Sequence, residues 1–123
     1  MSEKQYEVIV TPFAESALQE QVDYIRNALL ADQTADLFLE QMEQSIQELA
    51  YLPHRYQLVD REPWHSNSIH CYPFMGYNIY YWVSEERMRV YVTDVISQRM
   101  NQDKRLIEST LAYYKSREEG NPE

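Results

Sequence analysis

The sequence is short of the residues that would widen its choice of chemistry. Cys71 is the only cysteine, which excludes an intrachain disulfide and any multi-cysteine metal site and suits a reducing cytosol. Glycine occurs twice and proline five times, too few for low-complexity or extensively disordered stretches. No apolar run approaches the roughly 18 residues of a spanning helix. The opening MSEKQYEVIV lacks a basic segment followed by an apolar one, so no signal peptide is expected. Basic residues are also scarce, at 11 against 20 acids for a net charge of −9. The free chain is therefore expected to have no general affinity for nucleic acid, which rests on cations neutralising phosphates, nor for an anionic membrane.

What the sequence does have is enough apolar and aromatic material for one core. At 123 residues, 44% hydrophobic, it fits a single domain. Eleven of the aromatics are tyrosine, whose apolar ring and polar tip suit half-buried sheet faces and interfaces. Charge is unevenly spread. Between Phe13 and Leu52 eight acids face one base, Arg26; between Arg87 and Arg117 seven bases face three acids. A face that meets an anion is expected in the C-terminal third.

Residues 5–11, QYEVIVT, are rich in β-branched residues and read as a strand. Thr11-Pro12 follows as a helix start, because threonine caps well and proline at the first helical position sacrifices no hydrogen bond. Ala14, Ala17, Leu18, Val22, Ile25 and Leu29 then form one apolar stripe, predicting an amphipathic helix over 12–30. Asp32 is expected to cap a second helix with Ala35, Phe38, Leu39, Met42, Ile46 and Leu49 on its apolar face, ended by Pro53. Two such helices joined by two or three residues form an antiparallel hairpin that must bury its stripes on a sheet.

Residues 54–68 read as loop, with a short strand near Gln57–Asp60. Three strand-like runs follow: Ile69–Met75, Tyr77–Val83 and Met88–Ile96. Gly76 and the SEER tetrapeptide Ser84–Arg87 separate them, so they form an antiparallel meander. In the second run Tyr77, Ile79, Tyr81 and Val83 alternate with Asn78, Tyr80 and Trp82. A last helix is expected from about Asn101 to Lys115, with Ile107, Leu111 and Tyr114 on one side. The predicted architecture is α+β in the order β-α-α-β-β-β-α, a helical hairpin packed on a small, mostly antiparallel four-stranded sheet. The domain is expected to span 1–117, with residues 118–123 a disordered tail.

The opening YEVIVTPFAESALQEQVDYI, the helix ending IQELAYLPHRY, the strand GYNIYYWV and the closing RVYVTDVISQR, in this order and spacing, resemble the RelE/ParE superfamily of bacterial type II toxin–antitoxin systems, with the ParE-like branch favoured. The resemblance implies a cytoplasmic protein held by a cognate antitoxin. It implies either cleavage of messenger RNA on the ribosome, as in RelE-like members, or a block on DNA gyrase, as in ParE-like members.

RNA cleavage needs a group to activate the 2′-hydroxyl, a proton donor for the leaving oxygen and cations around the phosphate. His70 stands near the place of a usual family arginine, and Arg99 matches a recurrent one. Where RelE-like nucleases carry a His-Tyr pair, this chain reads Arg99-Met100-Asn101-Gln102. His70 and Arg99 are thus the catalytic candidates of a nuclease reading. Arg87, Arg89, Arg99, Tyr80 and Trp82 are the candidates for binding a partner; the aromatic pair is expected either to meet the C-terminal helix or to form an exposed amphipathic patch. His54, His65 and His70 lack a metal-ligand spacing, and neither metal nor cofactor is expected. Cys71 next to His70 reads as a small buried residue, since adjacent strand residues face opposite ways. The favoured reading is a toxin that binds a protein target. The alternatives are a ribosome-dependent endoribonuclease and a non-toxic binding module of the same fold.

Overall fold

The computed structural model describes residues 5–118. The chain runs β1 (Glu7–Val10), α1 (Pro12–Asp23), a π-helical turn (Tyr24–Ala28), α2 (Asp32–Gln47), two 3₁₀ turns (Glu48–Ala50 and Pro53–Arg55), β2 (His70–Phe74), β3 (Tyr77–Ser84), β4 (Arg89–Ser97) and α3 (Gln102–Glu118). This is the expected order. The four strands form one sheet in the order β1-β4-β3-β2. β2–β3 and β3–β4 pair antiparallel, and β1 pairs parallel to β4. Of the strand expected at 57–60, only a single bridge between Leu58 and His70 forms.

The start of α1 follows its local chemistry. Thr11 is extended, and its hydroxyl oxygen accepts a bond from the Ala14 amide at 3.3 Å. The same hydroxyl reaches the Thr93 carbonyl at 3.5 Å, so the cap also ties α1 to β4. The stripe of α1 is buried through Val22 and then breaks. The π turn puts an extra residue into the helical repeat, which rotates the following positions away from the core. Leu29, expected on the buried stripe, is 56% exposed. Asp32, expected as the cap of α2, sits inside the helix, while Ala31 holds the cap position with no side-chain bond. Asp32 and Asp36 instead face Arg26 at 3.7 and 2.8 Å, an exposed contact that adds little to stability.

Both helices bury their apolar faces on one side of the sheet. Ala14, Leu18, Val22, Phe38, Met42 and Ile46 pack with Ile79, Tyr81, Val90, Val92 and Val95. A bulge explains how β4 serves both faces. Tyr80 pairs with Asp94 but Tyr81 pairs with Val92, leaving Thr93 as the extra residue. Such an insertion resets the alternation of side chains, so Val95 rejoins the face of Val90 and Val92.

The opposite side carries a second cluster of Val59, Trp64, Tyr80, Ile96 and Leu106, with Cys71 packed against it. Here the loop after α2 and the helix α3 cover the sheet. The inward face of α3 is formed by Leu106 and Ser109, while Ile107 and Leu111 are exposed. The side expected from Ile107 and Leu111 is therefore turned to solvent; Tyr114 lies outside the described side chains. On the inward side of α3 buried Asp94 pairs with Arg105 at 3.2 Å. A charge under the sheet face must find its partner, and Arg105 supplies it from the side of the helix that carries Leu106 and Ser109. The disordered tail expected for 118–123 lies outside the described residues from 119 onward.

Candidate functional site

His54 and His70 fall at one end of the sheet. His70 begins β2 opposite Tyr81. It is 6% exposed and stacks on the Tyr81 ring at 4.9 Å and 11°. Its Nδ1–H donates to the Tyr56 carbonyl at 2.7 Å, so in the neutral ring Nε2 carries the lone pair. Burial, followed by the nearby His54, holds its pKa below the ordinary imidazole value against the pull of that hydrogen bond. His70 is thus a neutral core ring. His54 packs edge-on to it at 5.7 Å and pairs through Nε2 with Glu85 on the β3–β4 turn. Glu85 also accepts from the Tyr6 hydroxyl at 2.8 Å, and the Tyr81 hydroxyl donates to the Pro53 carbonyl. These contacts fasten the chain after α2 to the sheet.

The arginines are split between the two ends. Arg89 pairs with its register partner Glu7 across β1–β4 at 3.0 Å and lies 3.4 Å from the Tyr91 hydroxyl. Trp82 stacks on Tyr91 with centroids 4.7 Å apart. Arg87 is exposed on the adjoining turn. Arg99 lies beyond the far end of β4, where Ser97 pairs with Tyr77. From Tyr81, beside His70, to Tyr77 is four residues, roughly 13 Å along the strand. The fold therefore does not bring His70 and Arg99 together.

Tyr80 is 2% exposed and belongs to the second core cluster. Its hydroxyl donates to Gln102 Oε1 at 2.9 Å, and burial pushes its pKa up to about 12. Tyr80 is a packing residue that meets α3, not part of the alternative surface patch with Trp82. Gln102 is fully engaged: its amide nitrogen donates to the Ser97 and Met100 carbonyls at 2.7 and 2.9 Å. The stretch after β4, where the nuclease pair would stand, is thus a tied turn into α3. Cys71 is half-buried, and its thiol pKa is raised by burial.

One concavity was not visible in the sequence pattern. An open groove of about 920 Å³ lies between the end of α1 with its π turn and the β2–β3 and β4–α3 connections. One wall holds Glu20, Asp23, Tyr24, Asn27 and Ala28; the other holds Met75, Gly76, Arg99 and Met100. Tyr77 forms the floor, and its hydroxyl donates to Gln21 Oε1 at 2.7 Å, joining the walls. Gly76, at φ +81° after Met75 at φ 53°, makes the tight turn of the hairpin, a backbone region where glycine is favoured. None of the five π-turn residues is buried. Among the described residues the Arg99 guanidinium makes no ion pair: Asp94 is held by Arg105 and Asp103 by Arg61. Only Arg99 of this groove was singled out by sequence. The two methionines and the π turn carry no local signal, because the groove arises from elements far apart in the chain.

No group of three or more metal-ligating side chains forms among the described residues. No helix there is long and apolar enough to cross a membrane.

Comparison with known proteins gives this arrangement a family. A chromosomal ParDE toxin–antitoxin system from P. aeruginosa is similar in fold, with a TM-score of 0.63 over 76% of this chain and 97% of that one, at 10% identity. The toxin–antitoxin complex RelBE2 from Mycobacterium tuberculosis is similar with a TM-score of 0.55 over 78% of this chain and 97% of that one, at 18% identity. No curated protein matches the sequence. The sequence model of the ParE toxin of the type II system parDE matches residues 8–102, from β1 through the last strand to the first residue of α3, and the chain belongs to that ParE toxin family.

Proposed function

We propose that the chain acts as a toxin by binding a protein target, and that a cognate antitoxin neutralises it. The supporting observation is the state of the residues a nuclease would use. His70 is walled in between Tyr81 and the Tyr56 carbonyl, and Arg99 stands at the other end of the sheet. General acid–base catalysis needs a group within hydrogen-bond reach of the substrate proton, and a ring 6% exposed and stacked on Tyr81 offers a messenger RNA little surface. The net charge of −9 also opposes docking on ribosomal RNA. Gyrase is the target that the resemblance suggests, which would place the action in the cytoplasm. An antitoxin partner is suggested by the similar structures, both described as toxin–antitoxin systems.

Regulated expression in bacteria tests the reading. Growth arrest with DNA breaks or inhibited supercoiling, intact messenger RNA, and rescue by the small reading frame adjoining this gene are expected. Codon-specific transcript cleavage on translating ribosomes, lost with His70→Ala or Arg99→Ala, would make the protein a nuclease. Normal growth with an undisturbed DNA topology would leave a non-toxic binding module.

A further inference from the structure

We infer that a hollow beside Leu52 is a binding site for a small apolar carboxylic acid, whose body rests against Tyr6, Leu52 and Pro53 and whose carboxylate meets Arg55. The site stands apart from the groove beside Arg99, with no lining residue in common.

The hollow measures about 340 Å³ and is lined mainly by apolar surface of Tyr6, Leu52, Pro53, His54 and Arg55. Ligand pockets begin at about 300 Å³, so it has room for one small molecule. An unfavourable backbone builds its wall. Leu52 lies at φ 49° and ψ 54°, in the left-handed region, where a Cβ crowds the following carbonyl. Leu52 also precedes Pro53, and a residue before proline is ordinarily held extended. Glycine would take this conformation without the clash. Leucine there puts a large apolar side chain, 57% exposed, against the hollow. Bonds on several sides hold the conformation. The Leu52 carbonyl accepts from the Arg55 amide at 3.2 Å, the Pro53 carbonyl accepts from the Tyr81 hydroxyl, and His54 pairs with Glu85. Strained residues fixed by their surroundings cluster at ligand clamps, and a wall set before binding has little freedom left to lose.

The lining selects the ligand by charge. None of its five residues is acidic and two are basic, in a chain whose net charge is −9. Glu85 nearby is already engaged by the Tyr6 hydroxyl at 2.8 Å and by His54. Arg55 makes no ion pair among the described residues; its Nη2 donates to the Glu48 carbonyl at 3.3 Å, and its guanidinium lies 5.2 Å from the Tyr56 ring centroid. The remaining guanidinium donors suit a carboxylate. An inorganic anion would leave the apolar wall uncovered, and a hydrocarbon would leave the guanidinium without a counter-ion. A polynucleotide would meet the exposed carboxylates of Glu48 and Glu85, which repel its phosphates. An apolar body joined to a carboxylate uses both the wall and the cation.

Titration of the full chain followed by amide NMR tests the site, with 3-phenylpropionate as the probe and its amide and 3-phenylpropylamine as comparisons. The acid is expected to shift the Leu52, His54 and Arg55 amides saturably, with a dissociation constant of about 1 mM or below for a ligand of this size. Arg55→Gln should weaken the acid at least fivefold and leave the amide within twofold. Leu52→Gly keeps the left-handed backbone and removes the wall, so it should weaken acid and amide alike while the rest of the spectrum stays in place. Ile107→Asp, at an exposed position of α3, should change neither. No saturable shift at these amides would overturn the site. Equal binding of the amine, or an acid affinity unchanged by Arg55→Gln, would overturn the choice of a carboxylate. Acetate binding as tightly as the probe, or a folded Leu52→Gly that binds like the wild type, would overturn the apolar wall as the seat of the ligand. A short peptide ending in phenylalanine that binds tenfold tighter than the probe would overturn the choice of a free small acid.

Discussion

Removing the cation beside Asp94 offers the sharpest test of how α3 is held. Asp94 is fully buried, with one carboxylate oxygen 2.8 Å from the Val95 amide and the other 3.2 Å from Arg105 Nε. In Arg105→Met the aliphatic volume is kept and the charge is lost. Breaking a buried ion pair by deleting one partner costs about 3–5 kcal/mol. Arg105 itself keeps some solvent contact, so the lower end applies, and the lost contact with the Phe13 ring at 4.7 Å is included in it. A loss of about 3 kcal/mol at pH 7 is expected, roughly 10 °C in Tm for a chain of this size.

The pH dependence has a definite sign. Burial already raises the Asp94 pKa above the ordinary 3.8, and Arg105 is the largest of the groups pulling it back. Without Arg105 the folded-state value climbs further. A carboxyl that binds its proton more tightly when folded gains stability as pH falls through the folded value towards the unfolded one. The loss caused by Arg105→Met should therefore be larger at pH 7 than at pH 5. Asp94→Asn should restore part of it in the double variant. Urea unfolding at the two pH values measures all three. A loss under about 1 kcal/mol at pH 7, or one equal at both pH values, would show that the pair does not carry the docking of α3.

Three further outcomes follow from the packing. Met42→Ala, at a side chain with no exposure in the main core, should cost about 2–5 kcal/mol in urea unfolding through the cavity it leaves. Thr11→Ala removes the cap of α1 and its reach to Thr93 and should cost about 1 kcal/mol by the same measurement, whereas Thr11→Ser should cost less. His70 has its pKa lowered by burial, so its contribution to stability is present above the unfolded value, about 6.5, and is lost as pH falls through that value towards the folded one. His70→Phe keeps a ring against Tyr81 and should flatten the fall in stability between pH 7 and pH 5, as read by urea midpoints. An unchanged slope would mean that other groups drive the fall.

Local pattern determined the elements of this protein. The β-branched run 5–11, the Thr11-Pro12 start and the three strand-like runs after residue 69 each formed within a residue or two of their expected places, while α1 gave way to a π turn at Tyr24 and α2 ended at Gln47, well before Pro53. Arg99 was legible as a site residue only through resemblance. Tertiary structure decided what those elements share. Pairing of β1 with β4 is a contact between opposite ends of the domain, and no local signal specifies it. The bulge at Thr93 and the π turn at Tyr24–Ala28 each add a residue to a repeat, so alternation and helical spacing mislead beyond them. Leu29 comes out to solvent for that reason. Tyr80 goes under α3 because Gln102, Leu106 and Arg105 meet it and Asp94 from another part of the chain. Periodicity reports which side of an element is apolar; which elements come to face one another depends on burying all the apolar sides at once, and the groove beside Arg99 is the space that this packing leaves open.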